Sequence, residues 1–293
     1  MLNAIFLNMK LIKILIIGLL AIASAACSYR SATSERVLAV SIEPMRWALE
    51  QIVGDHYKVV ALMPSGADPE AFEPAVSARA DFDRAALFFT IGYLPFEQKM
   101  IETTSVRAVA TTGNITPIYG THKCHHHGDH SHGDAADPHL WISIANMKAI
   151  AEAMCNEMCA LDPDNTKEYK ANLQELTLTL TEADAEIRAD LDGCASRAFM
   201  VWHPTLSYFA RDYSLEQIAV CADNKDVTPA TMQTAIDLAR AKSVRVFFSQ
   251  GYCDPRQAQT LADETGAQII SVNLSGYDWL DQMKAVSRGL AQH

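Results

Sequence analysis

Basic residues are scarce in this chain of 293 residues. Its 24 lysines and arginines are outnumbered by 35 aspartates and glutamates, which gives a formal net charge of −11 at pH 7. No stretch concentrates Lys and Arg into the stripe that would neutralise a phosphate backbone, and this argues against a nucleic acid partner. Hydrophobic residues make up 49% of the chain and charged residues 20%, which is typical of a globular protein with a substantial core.

An apolar run long enough for a mature membrane helix is missing from the N-terminus. The run Ile14–Ala23 follows Lys10 and Lys13 and is too short to span a bilayer. A basic stretch, a short apolar run and small residues after it predict a signal peptide over residues 1–26. Met9 would be a more ordinary start than Met1.

The end of the predicted signal peptide indicates how the protein is held after export. The sequence Ser24-Ala-Ala-Cys27 resembles a lipoprotein signal, in which Cys27 becomes the lipidated first residue. Ser24 departs from that pattern, because such signals usually carry Leu there. Cleavage after Ala25 or Ala26 without lipidation is the alternative. Both predict export, to the periplasm or the cell surface, and the lipoprotein reading adds a membrane anchor.

Six cysteines remain when Cys27 is set aside, in a compartment that permits disulfides. Cys155 and Cys159 lie four residues apart on a predicted helix, where parallel side-chain directions are poor geometry for a bridge. Buried free thiols are therefore expected at both positions. Cys221 and Cys253 each follow a predicted strand, and we consider them the candidates for a disulfide.

Apolar, β-rich runs alternate with helical patterns along the mature chain, which predicts βα units and parallel sheets buried on both faces. The first set of predicted strands is Val37–Ile42, Val59–Leu62, Leu87–Ile91 and Val106–Ala110, with helices over Met45–Val53 and around Ala75–Ala85. The second set is Ala198–Trp202, Leu215–Val220, Val244–Phe248 and Gln268–Val272, with helices over Thr231–Ala241 and Arg256–Thr265. The predicted fold is α/β, with two lobes of roughly four parallel strands each.

One long helix is predicted between the two lobes. Asp162-Pro163 is a typical helix start and Gly193 a typical stop. Apolar residues recur at intervals of three or four at Tyr169, Leu173, Leu176, Leu180, Ala183, Ile187 and Leu191. The predicted organisation is an N-terminal lobe over 36–161, a linking helix over 162–192 and a C-terminal lobe over 193–293. A stiff link of roughly 43 Å would leave a ligand cleft between the lobes.

Histidine is unevenly distributed. Seven of the ten histidines fall between His122 and His139, mostly in a polar loop over 120–136 that cannot pack a core. Imidazole is the commonest metal-ligating side chain, and His-rich tracts indicate metal binding. The predicted accessory metal ligands of this loop are His122, His125, His126, His127, His130 and His132. The alternative is a solvated loop of biased composition without a role.

Three further segments carry candidate ligands of a fixed site. They are Pro64–Pro74 with Glu70, Asp137–Trp141 with His139, and Trp202–Phe209 with His203. Glu70 and His203 each follow a predicted strand, and ligands of open α/β sheets bind beyond the carboxyl ends of the strands. Taken singly, each could be a surface acid, a helix cap or a structural histidine. Their joint occurrence beside a His-rich loop favours a metal site.

These segments together resemble the solute-binding proteins of zinc and manganese ABC importers, the cluster A-I family. The resemblance covers essentially all of the mature chain. Its elements are Gly66-Ala-Asp-Pro-Glu-Ala-Phe-Glu-Pro74, the His-rich loop, Asp137-Pro-His-Leu-Trp141, the long linking helix, His203-Pro-Thr-Leu-Ser-Tyr-Phe209 and the late segment Asn273–Met283. The family resemblance implies two α/β lobes joined by a long helix, with the metal held in the cleft.

The resemblance also implies a set of metal ligands. His139 and His203 match family ligands, whereas Glu70 stands where the family usually has His, which leaves the metal preference open. A fourth, carboxylate ligand often comes from the late segment. Asp278, in Ser275-Gly-Tyr-Asp-Trp279, is the predicted residue, and Asp281 is its rival.

Zinc is the predicted cargo and manganese the alternative. Two histidines and two carboxylates supply the four ligands that zinc takes and balance its charge. Manganese prefers oxygen ligands, so a loop rich in imidazole favours zinc. The resemblance further implies delivery to a membrane permease of an ABC importer. We expect a monomer tethered to the membrane by its N-terminal lipid.

Two other classes of function stay open from the residues alone. A zinc hydrolase could use Glu70 as a general base beside a metal-bound water. The chain has no His-Glu-x-x-His motif and no evident nucleophile motif, which argues against that class and against an enzyme. An adhesin or a metal buffer without an importer is the third class.

Overall fold

The computed structural model describes residues 36–75, 82–120, 136–221, 227–251 and 253–293. The predicted signal peptide with Cys27, the histidines of the His-rich loop and most of the helix predicted around Ala75–Ala85 lie outside these ranges. Among the described residues, no helix combines the length and the apolar composition that a bilayer crossing requires.

The N-terminal lobe contains a parallel sheet of four strands. Its strands are β1 (Val37–Ile42), β2 (Lys58–Met63), β3 (Ala85–Thr90) and β4 (Ala108–Ala110), in the order β2-β1-β3-β4. Every residue of β1 is buried, as expected for a central strand covered on both faces. The four predicted strands of this lobe are confirmed, β1 with its predicted bounds and the other three with ends shifted by one or two residues.

Helices cover this sheet. They are α1 (Glu43–Val53), α2 (Pro95–Thr103) and α3 (Ile144–Leu161). Helices α1 and α2 each have a proline in the first turn, where its missing N–H costs no helical hydrogen bond. The side chain of Ser143 caps α3 by accepting a hydrogen bond from the Asn146 backbone N–H.

The predicted linking helix is confirmed as α4 (Thr166–Asp192), which ends at Gly193. Its 27 residues span about 40 Å. The predicted start at Asp162 is wrong in detail, because Pro163–Asn165 form a 3-10 turn before the helix. The carboxylate of Asp162 accepts hydrogen bonds from Tyr169 Oη at 2.9 Å and Asn165 Nδ2 at 3.0 Å instead of capping the helix.

The C-terminal lobe repeats the architecture of the first. Its strands are β5 (Ala198–Val201), β6 (Glu216–Ala219), β7 (Val246–Ser249) and β8 (Gln268–Ser271), all parallel in the order β6-β5-β7-β8. Its helices are α5 (Ser207–Asp212), α6 (Pro229–Ala241), α7 (Pro255–Thr265) and α8 (Trp279–Ala291). The predicted α/β fold with two four-stranded parallel sheets is therefore confirmed.

The linking helix shares its core with both lobes. It packs against α1 and α3 of the first lobe and against α8 of the second. One continuous apolar cluster joins buried residues of the first sheet, such as Phe88, to Leu180 of α4 and to Phe248 of the second sheet. A separate cluster around Phe247 covers the other face of the second sheet. Because side chains of both lobes pack on α4, this helix is a structural spine.

The cysteines are reduced wherever the structure describes them. Cys155 and Cys159 are thiols with their sulfurs 4.0 Å apart, as predicted, although Cys159 is only half-buried. The predicted bridge between Cys221 and Cys253 is wrong, because neither residue is in a disulfide. Cys221 follows β6 and Cys253 follows β7, and β5 lies between these strands. Two strand spacings amount to about 9.5 Å, more than a disulfide can bridge.

Candidate metal centre

Glu70 lies in a turn-rich segment that follows β2. Its backbone N–H donates to Asp68 Oδ1 at 3.0 Å, a local hydrogen bond that holds the turn. The Glu70 side chain is 19% exposed. Its Oε1 lies 2.8 Å from His203 Nε2 and 3.8 Å from His139 Nε2, so one carboxylate oxygen approaches both histidines.

His139 lies between β4 and α3, in a turn that Asp137 organises. Asp137 Oδ1 accepts from the His139 backbone N–H at 3.0 Å and from the ring Nδ1 at 2.9 Å. With the proton on Nδ1, the lone pair of the ring is on Nε2, the atom that faces Glu70. This Nε2 is buried and has no hydrogen-bond partner among the residues that the structure describes.

The carboxylate of Asp137 is fully buried yet held in its charged form. Burial raises its pKa, but hydrogen bonds from His139 and Ser207 outweigh that effect and leave the pKa below its usual value. The charged carboxylate therefore keeps the Nδ1–H of His139 in place. Histidine ligands of metals are commonly held by a carboxylate in this way.

His203 follows β5 at the carboxyl edge of the second sheet, and it is 3% exposed. Burial lowers its pKa, but hydrogen bonds with Cys221 and Glu70 and the charges of Glu70 and Asp68 raise it to about 9. Without a metal ion, His203 is therefore protonated at neutral pH and pairs with Glu70. A bound cation would take the place of this proton.

The three predicted ligands that lie far apart in the chain come together. One ligand atom each from Glu70, His139 and His203 lies within 4.8 Å of the others, and these residues form a group that could hold a metal ion. The ligand atoms of a tetrahedral zinc ion lie about 3.3 Å apart, given bonds of about 2.0 to 2.1 Å. Small side-chain adjustments from the hydrogen-bonded arrangement would reach that geometry.

A small cavity of about 20 Å³ adjoins this cluster. His139 and Trp141 line it from the first lobe, and Thr205 and Gln250 line it from the second. Gln250 Nε2 donates to Thr205 Oγ1 at 2.5 Å, while the buried Gln250 Oε1 has no hydrogen-bond partner in the described part of the chain. A cavity of this size holds one water molecule, which needs polar partners of this kind.

Hydrogen bonds between the lobes hold the segments that carry the ligands. Tyr208 Oη donates to the Asp137 backbone oxygen at 2.7 Å and accepts from the Ile118 backbone N–H at 3.1 Å. Trp141 Nε1 donates to the Leu274 backbone oxygen at 2.9 Å. Both donors belong to the motifs singled out in the sequence. They tie the turn around His139 to the second lobe.

The predicted fourth ligand does not join the cluster. Asp278 is exposed at the start of α8, where its Oδ2 accepts a hydrogen bond from Gln282 Nε2 at 2.8 Å. Asp281, its rival, is exposed in the first turn of the same helix. Both carboxylates lie on the surface of α8 and outside the cluster, so a late carboxylate ligand stays a prediction. The predicted histidine ligands of the loop over 120–136 lie outside the described residues.

Sequence reasoning missed the residues that hold the ligands in place. From the sequence, Asp137 is expected only as a helix cap, although its spacing of two residues from His139 suits a turn in which the carboxylate contacts the ring. Cys221, whose hydrogen bonding raises the pKa of His203, follows β6, the strand that pairs with β5. Gln250 carries no local signal at all.

Two α/β lobes on a helical spine, with a cluster of one half-buried glutamate and two buried histidines where they meet, define the class of two-lobed, metal-binding solute-binding proteins. A family model supports this class: residues 38–292 match the ZnuA family, described as the periplasmic component A of the zinc-uptake complex. The chain belongs to this family, whose members are periplasmic solute-binding components of ABC importers and not enzymes.

Individual relatives agree with this assignment. A putative metal-binding protein of Treponema pallidum is 25% identical over 84% of this chain and 84% of its own length. The zinc-binding lipoprotein AdcA of Streptococcus pneumoniae is 23% identical over 90% of this chain. The chain spans only 55% of that protein's length.

Solved structures show the same fold. A crystal structure of ZnuA is 29% identical and superposes with a TM-score of 0.79 over 88% of this chain and 99% of its own. A manganese-bound periplasmic metal-binding protein of Candidatus Liberibacter asiaticus is 21% identical with a TM-score of 0.74, over 88% of this chain and 99% of its own. The second likeness supports the fold alone. The protein is thus a metal-binding transport component outside the cytoplasm.

Proposed function

We propose that this protein captures zinc between its two lobes and delivers it to the permease of an ABC importer. The protein ligands are Glu70 Oε1, His139 Nε2 and His203 Nε2. Solvent completes the coordination from the small cavity beside His139. Three protein ligands with one exchangeable position suit a carrier, which must bind its ion and also give it up.

The observation that carries this proposal is the hydrogen bonding of the two ring nitrogens of His139. Its Nε2 is buried without a hydrogen-bond partner among the described residues, while its Nδ1 is held by a charged, buried carboxylate. A buried polar atom without a partner is costly in a folded protein. A metal ion bound to Nε2 would remove that cost, and Glu70 and His203 supply the next two ligands at coordination reach.

The charges of the site suit a divalent ion. Glu70 contributes one negative charge directly, and the buried carboxylate of Asp137 contributes a second through His139. Together they balance a 2+ charge in a position shielded from solvent. Two imidazole nitrogens and one oxygen favour zinc over manganese, which prefers oxygen ligands and binds more weakly in the Irving–Williams order. Manganese is the second candidate because Glu70 replaces a third imidazole.

Delivery would follow docking on the permease. The hydrogen bonds from Tyr208 and Trp141 cross between the lobes close to His139, so a movement of one lobe would disturb that ligand first. The His-rich loop would act as a low-affinity collector that passes zinc inward. Lipidation at Cys27 would keep the protein beside its permease, and a monomer would suffice for this cycle.

Elemental analysis of the purified protein tests the site. The mature chain is purified without added metal and compared with His139→Ala, His203→Ala and the control His293→Ala at an exposed histidine. One zinc per chain is expected in the parent protein and the control, with a large loss in both site variants. Equal zinc in all four proteins would contradict the proposed site. Competition titration against manganese then decides between the two metals.

A further inference from the structure

Two buried polar atoms without hydrogen-bond partners belong to residues that line the same small cavity. They are His139 Nε2 and Gln250 Oε1, and neither has a partner in the part of the chain that the structure describes. Both residues line the cavity of about 20 Å³ beside the cluster, His139 from the first lobe and Gln250 from the second. Because a buried polar atom without a partner is costly, two of them at one cavity indicate a bound species that satisfies both.

Gln250 lies at the carboxyl edge of the second sheet, one residue beyond β7. Strand β7 pairs with β5, the strand that His203 follows. Gln250 Nε2 donates to Thr205 Oγ1 at 2.5 Å, and the Thr205 backbone N–H donates to the His203 oxygen at 2.7 Å. These two hydrogen bonds connect the amide of Gln250 to the turn that carries His203.

Both atoms without partners are acceptors. A glutamine amide donates only from Nε2 and accepts only at Oε1, and Nε2 is engaged by Thr205. His139 Nε2 is an acceptor because Nδ1 carries the proton that is donated to Asp137. A cation on His139 Nε2 satisfies the first acceptor, and a water bound to that cation can donate to the second.

We propose that Gln250 is a positioning residue of the metal site, whose Oε1 accepts a hydrogen bond from the water that completes the coordination of the ion. This inference rests on the proposed function. The cavity has room for one water, and the proposed arrangement gives that water the ion on one side and Oε1 on the other. Gln250 is 7% exposed, so bulk water does not replace the hydrogen bond.

An acceptor at this place also selects the ligand that the ion takes from solution. Water has protons to donate to Oε1. Chloride or thiocyanate has none, and either anion would bring its charge against the partly negative amide oxygen. Gln250 therefore favours water over an anion at the exchangeable position.

Three substitutions test this role through zinc affinity, measured by competition with a chelating indicator. Gln250→Leu removes the acceptor, and an affinity loss of about tenfold is expected. Gln250→Glu should bind zinc at least as tightly as the parent protein, because a carboxylate accepts the same hydrogen bond and adds attraction to the cation. Gln259→Leu, at an exposed glutamine of α7, is the matched control and should be unchanged. Circular dichroism of the metal-free proteins reports folding.

Equal zinc affinity of Gln250→Leu and the parent protein would overturn the inference while leaving the proposed function intact. A loss in Gln250→Glu as large as that in Gln250→Leu would also overturn it. A parent protein that binds no zinc would instead remove the proposed function.

Thiocyanate binding separates a positioning role from a structural one. The cobalt-loaded proteins are titrated with thiocyanate and followed by visible absorption. The parent protein should need about tenfold more thiocyanate than Gln250→Leu, because only the parent holds a water in place. Equal titrations of the two proteins would contradict selection by Gln250.

A crystal structure of the zinc-loaded parent protein does not depend on how any variant folds. A water should lie about 2.0 to 2.2 Å from the zinc ion and about 2.7 to 2.8 Å from Gln250 Oε1. A zinc ion bound directly by Oε1, or a zinc-bound water out of reach of Gln250, would overturn the proposed role.

Discussion

The hydrogen bond between His139 Nδ1 and Asp137 Oδ1, at 2.9 Å, directs the other ring nitrogen of His139 toward Glu70. Both residues are buried, and the same carboxylate oxygen also accepts from the His139 backbone N–H. Ring, backbone and carboxylate therefore form one rigid turn. The ligand is oriented before any ion arrives, which lowers the cost of binding.

Asp137→Asn should lower zinc affinity about 10- to 100-fold. The amide keeps the size of the side chain but removes the charge that holds the Nδ1 proton of His139. Tyr208 bonds the backbone oxygen of residue 137, so that contact between the lobes is retained. Competition titration measures the affinity, with Asp237→Asn, at an exposed position of α6, as the control. An unchanged affinity would mean that the turn holds His139 without the charge.

Asp278→Asn should leave zinc affinity unchanged, within about twofold, since its carboxylate is exposed and bonded to Gln282. The same titration measures it beside Glu70→Gln, which should lose affinity strongly because it removes a ligand. A comparable loss in both variants would show that Asp278 reaches the ion after the lobes rearrange. It would also restore the fourth ligand that the sequence predicts.

Glu70→His should raise the preference for zinc over manganese by about tenfold or more, because a third imidazole replaces the oxygen ligand that manganese favours. The affinities for both ions are measured in the same buffer, and their ratio is compared with that of the parent protein. The ratio removes effects of the substitution on stability. A ratio that falls would contradict the assignment of Glu70 as a ligand.

Zinc affinity should rise with pH. The pKa of His203 is about 9 in the metal-free protein, so at neutral pH the ion must displace one proton. The apparent affinity should increase about tenfold for each pH unit between about 6.5 and 8.5. Isothermal titration calorimetry in buffers of different ionisation enthalpy measures the proton released. Equal affinity at the two ends of this range would exclude His203 as a ligand.

The stability of the metal-free protein should change with pH in the opposite sense. In the folded protein the pKa of His203 lies above its value of about 6.5 in the unfolded chain. The ion pair of His203 and Glu70 therefore stabilises the fold fully below about pH 6.5. That contribution is lost as the pH rises through about 9. Chemical denaturation at pH 6.5 and 9, with His203→Gln as the reference, measures it. A parent protein whose pH dependence matches that of the variant would contradict the raised pKa.

Local patterns predicted most of the framework. The central strand Val37–Ile42 was predicted with its observed bounds, because a continuous apolar run is typical of a strand buried on both faces. The period of the apolar residues from Tyr169 to Leu191 predicted α4, because the helix packs one face against both lobes. The 3-10 turn at Pro163–Asn165 was not predicted. It forms because the Asp162 carboxylate accepts hydrogen bonds from Tyr169 and Asn165 and does not cap a helix that starts at Pro163.

The candidate site was predicted only in part. Glu70 and His203 each follow a strand of a parallel sheet, so their place at the carboxyl edge was open to prediction. Whether Asp278 is a ligand could not be predicted from its place in the chain. The orientation of its side chain depends on how α8 begins and on the hydrogen bond from Gln282.

By itself, the sequence determined the two α/β lobes, the long helix between them and the residue types able to hold a metal ion. These follow from periodicity, turn residues and chemical character, which act over a few residues along the chain. Only the tertiary structure decided that Glu70, His139 and His203 meet, that Asp137 holds the ring of His139, and that Asp278 lies at the surface. Those relations depend on distances between side chains far apart in sequence, and such distances are set by the packing of both lobes on α4.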